Sequence, residues 1–170
     1  APTQANRVLA FTRRFFNWCV ARDLLEVSPA NGIAKAKTET SRDRVLSKNE
    51  LTAVYNATFQ MGYPFGPLFR ILIFTAQRKN EVAGSTWPEI NLDAQKWDLP
   101  RDRSKNKASQ IVHLSDRVLD ELNALVGPAQ HALVFTTTGT TPVSGFSKAK
   151  ARLDQISGVR NWRLHDARRT

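Results

Sequence analysis

Apolar residues near the start of the chain recur at helical spacing. Val8, Phe11, Phe15 and Trp18 follow one another in steps of three, four and three, which predicts an amphipathic helix over residues 4–22. Arg7, Arg13, Arg14 and Arg22 surround that apolar stripe. Ser28-Pro29 and Asn31-Gly32 supply turn chemistry after it. Residues 35–44 are polar, charged and aperiodic, and read as a linker. A second helix starts at Ser47, whose spacing to Glu50 is that of a capping box, ahead of Leu51, Val54 and Tyr55 on one face. Gly62 is its expected stop. Pro67 suits the first turn of a third helix with an apolar body from Leu68 to Phe74, and residues 78–84 predict a short helix after a break.

The pattern then changes to short strands. Trp97-Asp98-Leu99 and residues 110–114 flank a polar stretch from Pro100 to Ser109, the signature of a hairpin with a long basic loop. Ser115 begins a helix through Val126, which Gly127-Pro128 would end. Val134-Phe135 reads as a short strand, residues 144–157 as a helix, and a last helix begins near residue 164. The fold class is mainly α with a small antiparallel β-sheet, α+β. Trp18, Trp87 and Trp97 read as core anchors, and Trp162 as packing for the final helix.

Composition narrows the function. Across 170 residues, 25 Lys and Arg against 15 Asp and Glu give a net charge of +10, which favours a polyanionic partner. The excess is uneven: +4 over residues 1–44, zero over 45–98 and +6 over 99–170. No apolar run approaches the roughly 20 residues of a membrane span, and no signal peptide opens the chain. The single cysteine, Cys19, cannot form an intrachain disulfide, and the three histidines lack metal-ligand spacing.

Three clusters are candidates for chemistry. Arg78 and Glu81 share a face at i, i+3, so the acid can hold the guanidinium; a surface ion pair explains the spacing equally well. The loop Arg101-Asp102-Arg103-Ser104-Lys105-Asn106-Lys107 places a lysine where it can reach a phosphate or protonate a leaving oxygen, or is a solvated turn. His165 and Arg168 can donate to one phosphate, or be basic surface residues on a capped helix start.

Taken in order, these clusters resemble the tyrosine recombinases, the phage-integrase family, and within it prophage and genomic-island integrases. The stretches TAQRKNEVAGSTWPEINLD, RDRSKNKASQIVHLS, GFSKAKARLD and WRLHDARRT carry the likeness. The resemblance implies a C-terminal helix of an upstream core DNA-binding domain at 1–36, a linker at 37–44, and a catalytic domain over 45–170 that is truncated at its C-terminus. It implies catalytic roles for Arg78, Lys105, His165 and Arg168, with Glu81 supporting. DNA contacts are expected from Arg101, Arg103, Lys107, Lys148, Lys150, Arg152 and Arg169.

The implied reaction is site-specific recombination of a mobile element through a 3′-phosphotyrosine. It needs no metal and no cofactor. Its implied partner is double-stranded DNA at attachment sites, bound by a homotetramer in a bacterial, nucleoid-associated, cytoplasmic setting. Ala76 stands where the family usually has glycine, and His113 where many members have proline. The family's attacking tyrosine follows the His-x-x-Arg motif, whereas Tyr55 and Tyr63 precede it and read as packing residues, so the fragment alone is expected to be inactive. Two other classes compete. One is a non-catalytic, sequence-specific DNA-binding module. The other is a metal-dependent nuclease, for which Asp154 and Asp166 are the candidate ligands.

Overall fold

The computed structural model describes residues 2–38, 43–126 and 131–170. The chain divides into two compact units, Ala1–Asp43 and Arg44–Thr170.

The first unit is one helix, α1 (Pro2–Val20), and a return segment. Buried Asn6 ties the two: its Nδ2 donates to the Lys37 carbonyl at 2.7 Å and its Oδ1 accepts the Ala36 N–H at 2.8 Å. The Arg13 guanidinium donates to the Ala30 and Ile33 carbonyls. The return segment therefore covers the polar side of α1. The apolar stripe is left in solvent: Phe11 is 73% exposed and Trp18 47%. Trp18 is thus no core anchor here. It stacks on Phe15 and carries the Arg22 guanidinium 4.2 Å above its ring. Of the expected linker, residues 39–42 lie outside the described residues.

The second unit is built around α3 (Phe65–Thr75), which packs on α2 (Lys48–Thr58), α4 (Lys79–Ala83) and α5 (Asp116–Leu125). Helix α6 (Phe146–Ser157) lies on α2. Leu68, Phe69, Ile71 and Leu72 of α3 are all buried, so this helix is apolar nearly all round, as a central helix must be. Its one charge, Arg70, is held by both carboxylate oxygens of Glu121 on α5, with Nη2–Oε2 at 2.7 Å. Helix α2 begins with the expected capping box: the Ser47 hydroxyl accepts the Glu50 N–H at 3.3 Å, and Glu50 accepts the Ser47 N–H at 2.9 Å. It ends at Thr58, before Gly62. Gly66 is required in the next turn, because a Cβ there would lie 1.9 Å from the Met61 carbonyl oxygen.

The sheet has three antiparallel strands in the order β1 (Ile90–Asn91), β2 (Lys96–Leu99), β3 (Gln110–His113). Trp97 pairs with Ile90 on one side and Val112 on the other. Trp97, Leu99 and Val112 face the core, while Ile111 and His113 face outward, the period-two alternation of a half-buried sheet. Val134 and Phe135 are buried but form no strand. Beside them lie an isolated bridge between Thr86 and Leu133 and the Val134 N–H donating to the Ser85 carbonyl at 2.9 Å. The expected last helix is a single 3-10 turn, Asp166–Arg168. The expected stop at Gly127-Pro128 lies outside the described residues.

The break between α3 and α4 has a local cause. Ala76 adopts a left-handed conformation, φ 51° and ψ 24°, while its N–H closes the helix onto the Leu72 carbonyl. Gln77 and Arg78 follow before α4 begins, and Arg78 is extended. A side chain at positive φ is strained by its Cβ, and glycine is not. Ala76→Gly is therefore expected to stabilise the fold by about 1 kcal/mol in urea denaturation, with the same m-value. Unchanged or reduced stability would contradict this reading of the turn.

Candidate phosphodiester site

Arg78 precedes α4 and Glu81 sits at its third position, so the acid folds back over the helix start. Glu81 is 3% exposed. Its Oε2 accepts the Arg78 backbone N–H at 2.9 Å, and its Oε1 accepts Arg78 Nη1 at 2.9 Å. The same Oε1 receives the Lys105 backbone N–H at 3.5 Å, from the loop between β2 and β3. One carboxylate thus fastens the helix that carries Arg78 to the loop that carries Lys105. Burial is the largest single influence on Glu81 and pushes its pKa up. The Arg78 N–H, the Arg78 guanidinium and the Lys105 N–H together outweigh it and hold the carboxyl below its ordinary range.

Arg103 makes a second tie. Its Nη2 donates to the Glu81 carbonyl at 3.1 Å and pairs with Glu89 Oε2 at 3.0 Å, an oxygen that also accepts Trp97 Nε1 at 3.0 Å. Gly84 makes room for it, since a Cβ there would come within 2.9 Å of Arg103 Nη1. With the loop held at Arg103 and at the Lys105 backbone, the Lys105 side chain is left exposed. Asn106 adds a contact to the Arg78 guanidinium, Oδ1 to Nη2 at 3.2 Å.

Arg78, Lys79, Asn80, Glu81, Arg103, Lys105 and His165 line one cleft of about 360 Å³. The structure therefore brings together Arg78, Glu81, Lys105 and His165 from three separate stretches of sequence. Arg168 is exposed on the terminal 3-10 turn and does not line this cleft. Of the expected DNA contacts, Arg101, Lys107, Lys148, Arg152 and Arg169 are exposed. Arg103 is turned inward as described. Lys150 is occupied by both Asp154 oxygens, at 2.6 and 2.7 Å, and by the face of Trp162.

Neither tyrosine lines this cleft. Tyr55 packs edge-on against Phe59 and Phe74. The Tyr63 hydroxyl accepts the Thr136 N–H and donates to carbonyls of the same segment. Asp154 is neutralised by Lys150, and buried Asp166 accepts the Arg163 N–H at 2.9 Å. Among the described residues no three His, Cys, Asp or Glu side chains converge as a metal-holding group. Sequence reasoning missed Asn106, Lys79 and the inward turn of Arg103. The one advance signal for the last was Gly84, which leaves the space.

The sequence matches no family model and no curated protein. The structure matches several solved ones. A lambda integrase dimer (residues 75–356) bound to a COC' core site superposes with a TM-score of 0.76 at 15% identity, covering 99% of this chain and 64% of that one. The Tn1549 transposon integrase (residues 82–397), in complex with circular intermediate DNA, gives 0.72 at 11% identity, covering 99% and 64%. XerA recombinase gives 0.61 at 14%, covering 89% and 55%. The fold is that of the tyrosine recombinases. The chain spans 50% of another lambda integrase chain bound to the same core site, so it corresponds to part of the tyrosine-recombinase chains it resembles. Among the described residues no helix is long and apolar enough to cross a membrane.

Glu81 gives this part of the tyrosine-recombinase fold a defined acid response. Its carboxyl pKa is depressed by folding, so its contribution is fully present above the unfolded value and is lost as pH falls through the folded one. Glu50 adds a similar response, its pKa pushed down to about 2 by hydrogen bonds from Arg44 and from the Ser47 N–H. Glu81→Gln is expected to cost about 2–3 kcal/mol near pH 7. The gap to wild type should narrow as urea titrations move from about pH 5 toward pH 3. A gap independent of pH would show that ionised Glu81 does not hold the two elements together.

Proposed function

We propose that this chain is part of a site-specific DNA recombinase that exchanges strands by transesterification at phosphorus. The observation that carries the reading is the convergence of Arg78, Lys105 and His165 on one cleft, with Arg78 oriented by a buried, ionised Glu81. In-line attack on a phosphodiester places growing negative charge on the non-bridging oxygens, and pre-oriented guanidinium and imidazole donors stabilise it.

An attacking phenol passes its proton to His165 and forms a bond to phosphorus as the bond to the 5′ oxygen breaks. Lys105 delivers the proton that the leaving oxygen needs. The 3′-phosphotyrosine retains the phosphodiester energy, so a 5′ hydroxyl of a second strand reverses the step with no nucleotide cofactor. Neither Tyr55 nor Tyr63 lines the cleft, so neither is assigned as the attacking phenol. Arg168 is assigned as the second guanidinium, brought over the phosphate from the adjacent turn when DNA is seated. The partner is double-stranded DNA, and a homotetramer on paired attachment sites of a mobile element is the proposed assembly. The solved lambda integrase tetramer bound to a Holliday junction supports that assembly by analogy of fold.

A second reading is a DNA-binding module without catalysis, and the position of Arg168 outside the cleft wall favours it. Two measurements separate the possibilities. With a net charge of +10, the chain should bind duplex DNA with log K falling steeply and linearly against log salt; a flat response would remove DNA as the partner. In a longer protein that supplies the phenol, Arg78→Ala should slow strand cleavage by about 10²–10³ while binding persists. Cleavage at the wild-type rate would remove Arg78 from the proposed catalytic set, and a longer protein that binds DNA without cleaving it would leave only the binding module.

A further inference from the structure

A second cleft, of about 440 Å³, adjoins the first, and Lys79 and His165 line both. Its wall is made by α3, α4, the first turn of α6 and the segment before the last 3-10 turn. No carboxylate lines it. Lys79 Nζ rests 4.7 Å above the Phe146 ring and has no acidic partner among the described residues. The Arg163 side chain is exposed at the rim and likewise unpaired. Lys150, the third cation, is already neutralised by Asp154. Ser147 adds an exposed hydroxyl one residue after Phe146.

Two further polar atoms belong to residues of this wall. Gln77 Oε1 and Trp162 Nε1 are buried and have no hydrogen-bond partner among the described residues. Gln77 is 8% exposed and Trp162 6%. A buried donor or acceptor left unmade is costly. Two unpaired cations beside an aromatic face select an anion joined to an apolar or ring-bearing group, as a nucleotide unit is.

Resting on the function proposed above, we infer that this cleft holds a second backbone phosphate of the same DNA strand, adjacent to the scissile one, between Lys79 and Arg163, with its sugar against Phe146. The shared wall residues make the two clefts one track. Contacts of this kind fix the register of the strand and carry no base preference.

The test is duplex binding by this chain, followed by fluorescence anisotropy over a range of KCl concentrations with two unrelated sequences. Lys79→Gln and Arg163→Gln should each weaken binding several-fold near 0.1 M salt. Each should also lower the log–log salt slope by about one, equally for both sequences. Lys79→Arg should keep the wild-type slope, and Lys96→Gln, on the sheet and paired with Asp98, should leave binding unchanged. Circular dichroism should show all variants folded, and thymidine 5′-monophosphate at millimolar concentration should not displace the duplex. If both variants keep the wild-type slope and affinity while the wild-type chain binds duplex in a salt-dependent way, the second phosphate station is wrong and the proposed function stands. If the wild-type chain binds no duplex in a salt-dependent way, the proposed function itself fails. Efficient displacement by the free mononucleotide would overturn the assignment of a DNA strand as the occupant.

Discussion

The candidate site is organised by an anion that the chain buries on purpose. Glu81 sits where the start of α4, the β2–β3 loop and Arg103 meet, and it accepts hydrogen bonds from two elements that are far apart in sequence. A buried carboxylate is tolerated only when such donors surround it. The arrangement works in both directions. The donors keep Glu81 charged, and the charged oxygens fix the Arg78 guanidinium and the backbone at Lys105. Without that anchor, a long basic loop and a five-residue helix would have little to hold them. Arg103 reinforces the joint through Glu89, which also takes the Trp97 indole and so links the cleft to the core face of the sheet.

The basic residues fall into two groups with different physical roles. Arg70, Arg103 and Lys150 are paired inside the fold and spend their charge on Glu121, Glu89 and Asp154. Lys79, Lys105 and His165 line the clefts with no acidic partner among the described residues. The net positive charge seen in composition therefore overstates the number of cations on offer, and Lys79, Lys105 and His165 are among those that remain. Their field attracts a polyanion and orients it along the clefts.

Sequence reasoning succeeded where one local rule governs the outcome. The Ser47–Glu50 box, the short helix after a break, and the pairing of Lys96–Leu99 with Gln110–His113 all follow from nearest-neighbour chemistry. Of the residues expected in the site, Arg78, Glu81, Lys105 and His165 line one cleft. Sequence reasoning failed where the outcome depends on what packs against a residue. The apolar stripe of α1 is periodic, but periodicity does not say whether a second layer exists, and Phe11 and Trp18 stand in solvent. Spacing marks Arg103 and Lys150 as basic surface positions but cannot reveal that Glu89 and Asp154 pair with them. The final segment has a helical pattern, yet forms one 3-10 turn, and Arg168 does not line the cleft.

The central claim is that Arg78, Lys105 and His165 together surround one DNA phosphate. A crystal structure of this chain bound to a duplex tests it directly. The account predicts a backbone phosphate within about 2.7–3.1 Å of nitrogen atoms from Arg78 and from Lys105 or His165. DNA seated instead on the Lys148 and Arg152 face of α6, with no phosphate reaching Arg78, would contradict it.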